Sequence, residues 1–179
     1  VPYINAQGAT GKISGVAVTG TAASGQVPVA TSGTAGAWAF PPDFRIGYDQ
    51  ITGTVNIAST TEATGTTIIS AAAHTFDGTL VRCEFFCSLI QSGTTAASQT
   101  VVSLFEGATQ ITRLAFIQTP AAAVMGVPIF ASFYFTPTAA SHTYTITAFS
   151  TNVTGTPAIS AGAGGTATNP PAYVAFYKA

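Results

Sequence analysis

The chain has 179 residues, a net charge of −1 and only 6% charged residues, against about 25% in average soluble domains. Five basic and six acidic side chains cannot cover an 18 kDa globule, so the exterior falls to Ser, Ala, Gly and about thirty threonines. That balance excludes a phosphate-backbone partner, since Lys12, Arg45, Arg82, Arg113 and Lys178 form no basic cluster, and it leaves little charge to oppose self-association.

The first 44 residues hold only Lys12 and Asp43 as charges and no basic start leading into an apolar run, so a secretory leader is not expected. Gly15-Val-Ala-Val-Thr-Gly and Gly25-Gln-Val-Pro-Val-Ala-Thr are short extended pieces broken by glycine, too small for a core of their own. The segment closes on Trp38 and Phe40, two apolar anchors, before the stiff pair Pro41-Pro42. Residues 1–44 are therefore expected to be an extended N-terminal anchoring arm ordered by docking on a partner; the competing reading is a flexible tail.

From residue 45 to 179 the chain reads as a β-sandwich domain. Expected strands are Gly53–Ser59, Thr67–Ala73, Leu80–Ile90, Gln99–Phe105, Gln110–Gln118, Val127–Thr136, His142–Thr151 and Ala172–Lys178, rich in Val, Ile, Thr, Phe and Tyr. Asp77-Gly78 and Glu106-Gly107 suit tight turns between successive strands. Ile129, Ala131, Phe133 and Phe135 share one face, while Tyr144, Ile146 and Ala148 lie opposite Thr143, Thr145 and Thr147. Ala121-Ala-Ala-Val-Met is too short for a helix, and the stretch 121–135, although apolar, is interrupted by Gly126 and Pro128 and too short to span a membrane. Eight short strands predict an all-β, jelly-roll-like, two-sheet antiparallel β-sandwich. The loop 152–171 is long enough to suggest an interfacial role.

Cys83 and Cys87 are four residues apart in one strand, about 13 Å, beyond the roughly 7 Å that a disulfide tolerates. Sharing parity with Val81 and Phe85, they are expected to be reduced and buried, as suits assembly in a cytoplasm. Adjacent aromatics, Phe85-Phe86 and Phe133-Tyr134-Phe135, must face opposite sides of their sheet, so one set fills the core and the other seeks a second partner.

Candidate chemistry is sparse. His74 and Asp77, with Ser70 nearby, offer a poor triad, and Asp77 with Glu106 a poor pair of glycosidase carboxylates, because both acids sit beside turn glycines. His142 at a strand start suits a loop hydrogen bond, and Arg82 with Glu84 a cross-strand ion pair. Neither cysteine pairs with a second Cys motif, no clustered oxygens suit calcium, and no phosphate-cradling motif occurs, so no catalytic residue, metal or cofactor is expected. The candidate residues are instead those of an interface: Trp38, Phe40, Phe86, Tyr134, Tyr173 and Tyr177.

Three runs carry a resemblance. Thr75-Phe-Asp-Gly-Thr-Leu-Val-Arg-Cys-Glu-Phe-Phe, Leu104-Phe-Glu-Gly-Ala-Thr-Gln-Ile-Thr-Arg-Leu and Thr136-Pro-Thr-Ala-Ala-Ser-His-Thr-Tyr-Thr-Ile-Thr-Ala-Phe are similar to a β-domain of tailed-bacteriophage virion proteins, the minor tail, fibre-like or capsid-decoration proteins of actinobacteriophages. Gly25-Gln-Val-Pro-Val-Ala-Thr-Ser-Gly-Thr-Ala-Gly-Ala-Trp resembles the connectors before such domains, and Ala161-Gly-Ala-Gly-Gly before a last hydrophobic strand fits the same pattern. The resemblance implies a surface-exposed homo-oligomer, a trimer, on the virion, assembled in the bacterial host cytoplasm. Its partners would be phage capsid or tail proteins or, alternatively, a host surface glycan at Tyr48, Tyr173 and Tyr177. The chain departs from the pattern in having no collagen-like or coiled-coil stalk, which favours a compact cap or decoration over a long fibre.

Overall fold

The structure is a computed structural model and describes residues 11–13, 16–18, 20–22, 25–30, 35–39, 41–120 and 125–179. Phe40 and most of 121–125 lie outside them. Two units divide the chain, residues 1–44 with 178–179 and residues 45–177. All regular structure among the described residues is strand, and no helix is long and apolar enough to cross a membrane.

The first unit carries a small sheet of four short strands, β1 (Gly11–Ile13), β2 (Val16–Val18), β3 (Val27–Ala30) and β4 (Ala35–Ala39), in the order β1-β2-β4-β3. The indole N–H of Trp38 donates to the Gly20 carbonyl at 3.1 Å. Residues 41–44 run beside the chain's end: Asp43 N–H donates to Lys178 O, and Lys178 N–H to Phe44 O.

The second unit holds β5 (Arg45–Ile51), β6 (Val55–Asn56), β7 (Thr66–Thr75), β8 (Val81–Gln91), β9 (Gln99–Glu106), β10 (Thr109–Gln118), β11 (Gly126–Phe135), β12 (Ser141–Ser150), β13 (Ala158–Ser160) and β14 (Ala172–Lys178). One sheet runs β5-β14-β8 with β11 on the other edge of β8; the second runs β7-β12-β9-β10. Leaving out the two shortest strands, the succession is first-eighth-third-sixth in one sheet and second-seventh-fourth-fifth in the other. This is the jelly-roll connectivity of two Greek keys, and the fold class read from the sequence holds.

Two details differ from the sequence reading. Gly53–Ser59 yields only the two-residue β6, and the strand that opens the sandwich is the unanticipated β5. The loop 152–171 contains β13, which pairs with β6 and with the end of β8, and a Gly-rich turn closed by Gly162 N–H to Pro170 O and Gly164 N–H to Asn169 O.

Strand alternation builds the core. Val81, Cys83, Phe85 and Cys87 of β8 are all fully buried, as are Leu104 of β9, Ile146 of β12 and Phe176 of β14. Phe76, Tyr144 and Phe176 meet ring to ring at 5.3–5.7 Å. Both cysteines are free, and burial pushes their thiols up, to about 12 for Cys83 and about 11 for Cys87.

Connections collect at the two ends. At one end the two-residue turn Gly107-Ala108 joins β9 to β10 with a left-handed φ of 56° at the glycine, while Gly78 (φ 81°) turns the chain from one sheet to the other. At the far end the longer loops are stitched through buried hydroxyls. Ser98 and Ser150 share a hydrogen bond, Ser150 Oγ donates to Asn152 O at 2.8 Å, and Thr119 Oγ1 reaches Gly93 O and Ser98 O.

Candidate interaction surface

The outward face of the β5-β14-β8-β11 sheet is aromatic. Strand parity forces it: with Phe85 turned into the core, Arg82, Glu84 and Phe86 point out. Register then sets Tyr134 of β11 opposite Arg82 and Phe130 opposite Phe86, and Tyr173 and Tyr177 emerge from β14. Rings run across the strands, Phe86 to Tyr173 at 5.6 Å and Tyr173 to Tyr48 at 5.3 Å. Two guanidinium groups lie over this face, Arg82 5.0 Å from the Tyr177 ring and Arg45 5.3 Å from Tyr48. Burial raises the Tyr173 hydroxyl's pKa. Phe130 and Tyr134 are 62% and 53% exposed and extend the apolar surface of this face, the kind of contiguous patch that marks an interaction site.

Four of the six sequence candidates, Phe86, Tyr134, Tyr173 and Tyr177, thus share one face. Trp38 belongs to the N-terminal unit, and Phe40 is outside the described residues. Phe130 was missed, though its parity opposite Ile129 and Ala131 was the available signal.

The two sides of the sandwich differ. Where β5 meets β7, the Asp49 carboxylate accepts the Ala72 N–H at 2.9 Å and pairs with His74 Nε2 at 2.6 Å. Gly47 leaves room for that imidazole; a Cβ there would lie 2.4 Å from the ring. The β10–β11 side has no such clip among the described hydrogen bonds. All five inward residues of β11 (Val127, Ile129, Ala131, Phe133 and Phe135) are only half-buried, as are Ile111 and Leu114 of β10.

The second sheet faces outward with hydroxyls on β7 and β12 and with Phe116 of β10, 53% exposed. Thr145 and Thr147 of β12 and Thr67 of β7, with Thr64 and Glu62 from the loop before β7, line a cavity of about 320 Å³. Glu62, another residue the sequence did not flag, fixes that loop. It accepts from Ser103 Oγ (2.7 Å) and Gln110 Nε2 (2.7 Å) and takes Arg113 in a two-pronged pair through Nε (2.9 Å) and Nη2 (2.5 Å). The guanidinium holds the Glu62 carboxyl below its usual range.

Several other ionisable groups are similarly engaged. His142 Nδ1 meets Glu106, and its Nε2 lies 3.0 Å from the Thr138 carbonyl. An acceptor beside each nitrogen favours the protonated ring, and its pKa is raised, chiefly by Glu106. Asp77 caps its own turn by accepting from Thr79, whereas His74 pairs with Asp49, so the triad geometry of His74 with Asp77 does not form. Arg82 and Glu84 pair at 3.1 Å along one strand, not across two. No group of three His, Cys, Asp or Glu suited to a metal occurs among the described residues.

No family model and no curated protein matches the chain. Among solved structures it is similar to the VP2 subviral particle of infectious bursal disease virus, with 10% identity and a TM-score of 0.36 over 86% of this chain and 42% of that one. It is also similar to the structure of the infectious bursal disease virus Gx strain, with 13% identity and a TM-score of 0.30 over 86% and 41%. The chain spans under half the length of either, and likenesses this slight bear on neither function nor assembly.

Proposed function

We propose that this chain is a structural protein of a bacteriophage virion, a surface-exposed trimeric β-sandwich that decorates or stabilises the capsid or tail. Residues 1–44 would tether it to the phage capsid or tail proteins. Its work is mechanical, covering and cementing neighbouring subunits. The observation that carries this reading is the aromatic outer face of the β5-β14-β8-β11 sheet on a chain with only eleven charged side chains: apolar rings outside and few charges to repel a neighbour favour burial against other copies. The engagement of Glu62, Glu106, Asp49 and Asp77 in structural contacts supports a passive role over catalysis.

The test is assembly. Purified full chain should sediment as a trimer at micromolar concentration and bind particles that lack it; a stable monomer that ignores both itself and the particle would end the proposal.

A second reading, recognition of a host surface glycan, has support from Tyr48, which stands 38% exposed beside Gln50 and donates to its Oε1 at 2.8 Å. Its weakness is geometric: Tyr48 and Tyr173 stack on each other, and a ring face covered by a neighbouring ring is closed to a sugar. Saturable glycan-array binding that Tyr48→Ser abolishes would promote this reading.

A further inference from the structure

We propose that the open side of the sandwich, along the free edge of β11, is where a second copy of this chain docks, strand against strand. This rests on the self-assembly reading above and names the surface that performs it.

Among the described residues β11 pairs only with β8, so its outer edge carries unpaired N–H and C=O groups along a ten-residue strand. Such edges are normally blunted by charge, proline, bulges or a covering element. Here Pro128 and the single register shift fall between Val127 and Ile129, and the register from Ile129 to Phe135 is regular. No residue of β11 is charged. The one charge on neighbouring β10, Arg113, is engaged by Glu62. The edge of β10, by contrast, is broken by two register shifts, which leaves β11 the better template.

Side chains agree with the backbone. The inward residues of β11 are half-buried, although Val81, Cys83, Phe85 and Cys87 on the next strand are fully buried. Their incomplete burial and the exposed Phe130 and Tyr134 form one uncharged apolar strip wrapping the edge.

Size and chemistry choose the occupant. A ten-residue strand runs about 33 Å and packed sheets lie about 10 Å apart, so the open side alone presents on the order of 330 Å², and the outward Phe130 and Tyr134 widen it toward the roughly 800 Å² each partner buries in a stable contact. A neutral apolar strip has no attraction for an acidic or basic partner and matches another neutral apolar surface, which every other copy of this chain supplies. A closed three-membered ring would set the strip against a different surface of the next copy, a two-fold pair against itself.

The experiment is sedimentation velocity of the full chain at micromolar concentration, wild type beside the double variant Phe130→Lys with Tyr134→Lys and the control Thr143→Lys, an exposed position on the outer face of the other sheet. Both substituted rings of the double variant point outward, so the core is untouched. Wild type and control should sediment as the same oligomer, and the double variant as monomer with association at least tenfold weaker. A double variant that assembles like wild type sinks the strip while leaving self-assembly intact; a monomeric wild type sinks both. Hydrogen exchange on wild type decides the matter even if the variant misfolds: amides of 129–135 should gain protection as concentration rises and those of β5 should not. Equal protection at all concentrations overturns the proposal.

Discussion

His142 shows how one side chain ties stability to pH. Its ring touches Phe76 and Tyr144 at 5.8 and 5.9 Å and sets one nitrogen against Glu106 and the other against the Thr138 carbonyl. The folded pKa lies above the unfolded value of about 6.5. The folded state therefore binds the proton more tightly, its stabilisation complete below that value and lost as pH rises through the higher folded one. Urea midpoints should fall between pH 6 and pH 9, and Glu106→Gln should flatten that slope. Glu62 works in the opposite direction. Its folded pKa is lowered by Arg113, so its contribution is complete above about 4.5 and lost as pH falls through the folded value. An Arg113→Gln variant should lose stability at neutral pH and show a shallower acid limb. At Cys83 and Cys87 the expectation is kinetic: a buried, protonated thiol is a poor nucleophile, so a thiol reagent should label neither in the native protein at pH 8 and both in urea.

At the scale of strands and loops, alternation made β11 and β12 legible, because each has one face toward the core and one away. The strand β5 escaped for a physical reason. Gly47 and Asp49 are weak strand formers, but the position demands them. Gly47 makes space for His74, and Asp49 supplies the acceptor that clips two sheet edges together; neither need is written in local periodicity. Glu62 escaped likewise, since its partners Ser103, Gln110 and Arg113 lie over forty residues away. The aromatic face was half legible: parity told which of Phe85 and Phe86 must point outward in company with Tyr134, but only the register of β8 with β11 adds Phe130. Loop packing gives a sharp test. A Cβ on Gly93 would meet Asn152 O at 2.6 Å and Thr154 O at 2.9 Å, both backbone atoms, so Gly93→Ala must push two loops apart. The expected cost is about 1–3 kcal/mol, read as a lower urea midpoint, whereas Gly107→Ala, with nothing near its Cβ, suffers only the left-handed φ at that turn.

For the whole molecule the question is what each unit contributes. The core cluster comes entirely from residues 57–176, whereas Val18 is the only buried apolar side chain described in the first 44 residues. The strands of the N-terminal unit are only three to five residues long, and under the proposed role a virion partner gives that unit support. Removing residues 1–40 therefore separates folding from attachment. The cut keeps residues 41–44, whose backbone pairs with Lys178, and leaves every core residue in place. The truncated chain should unfold in one cooperative transition with the wild-type midpoint and sediment as the same oligomer, since the strip on β11 is intact, yet fail to bind particles that the full chain decorates. Loss of the oligomer would place subunit contacts in the arm. Full decoration by the truncated form would show that the sandwich itself holds the particle and that the arm does something else.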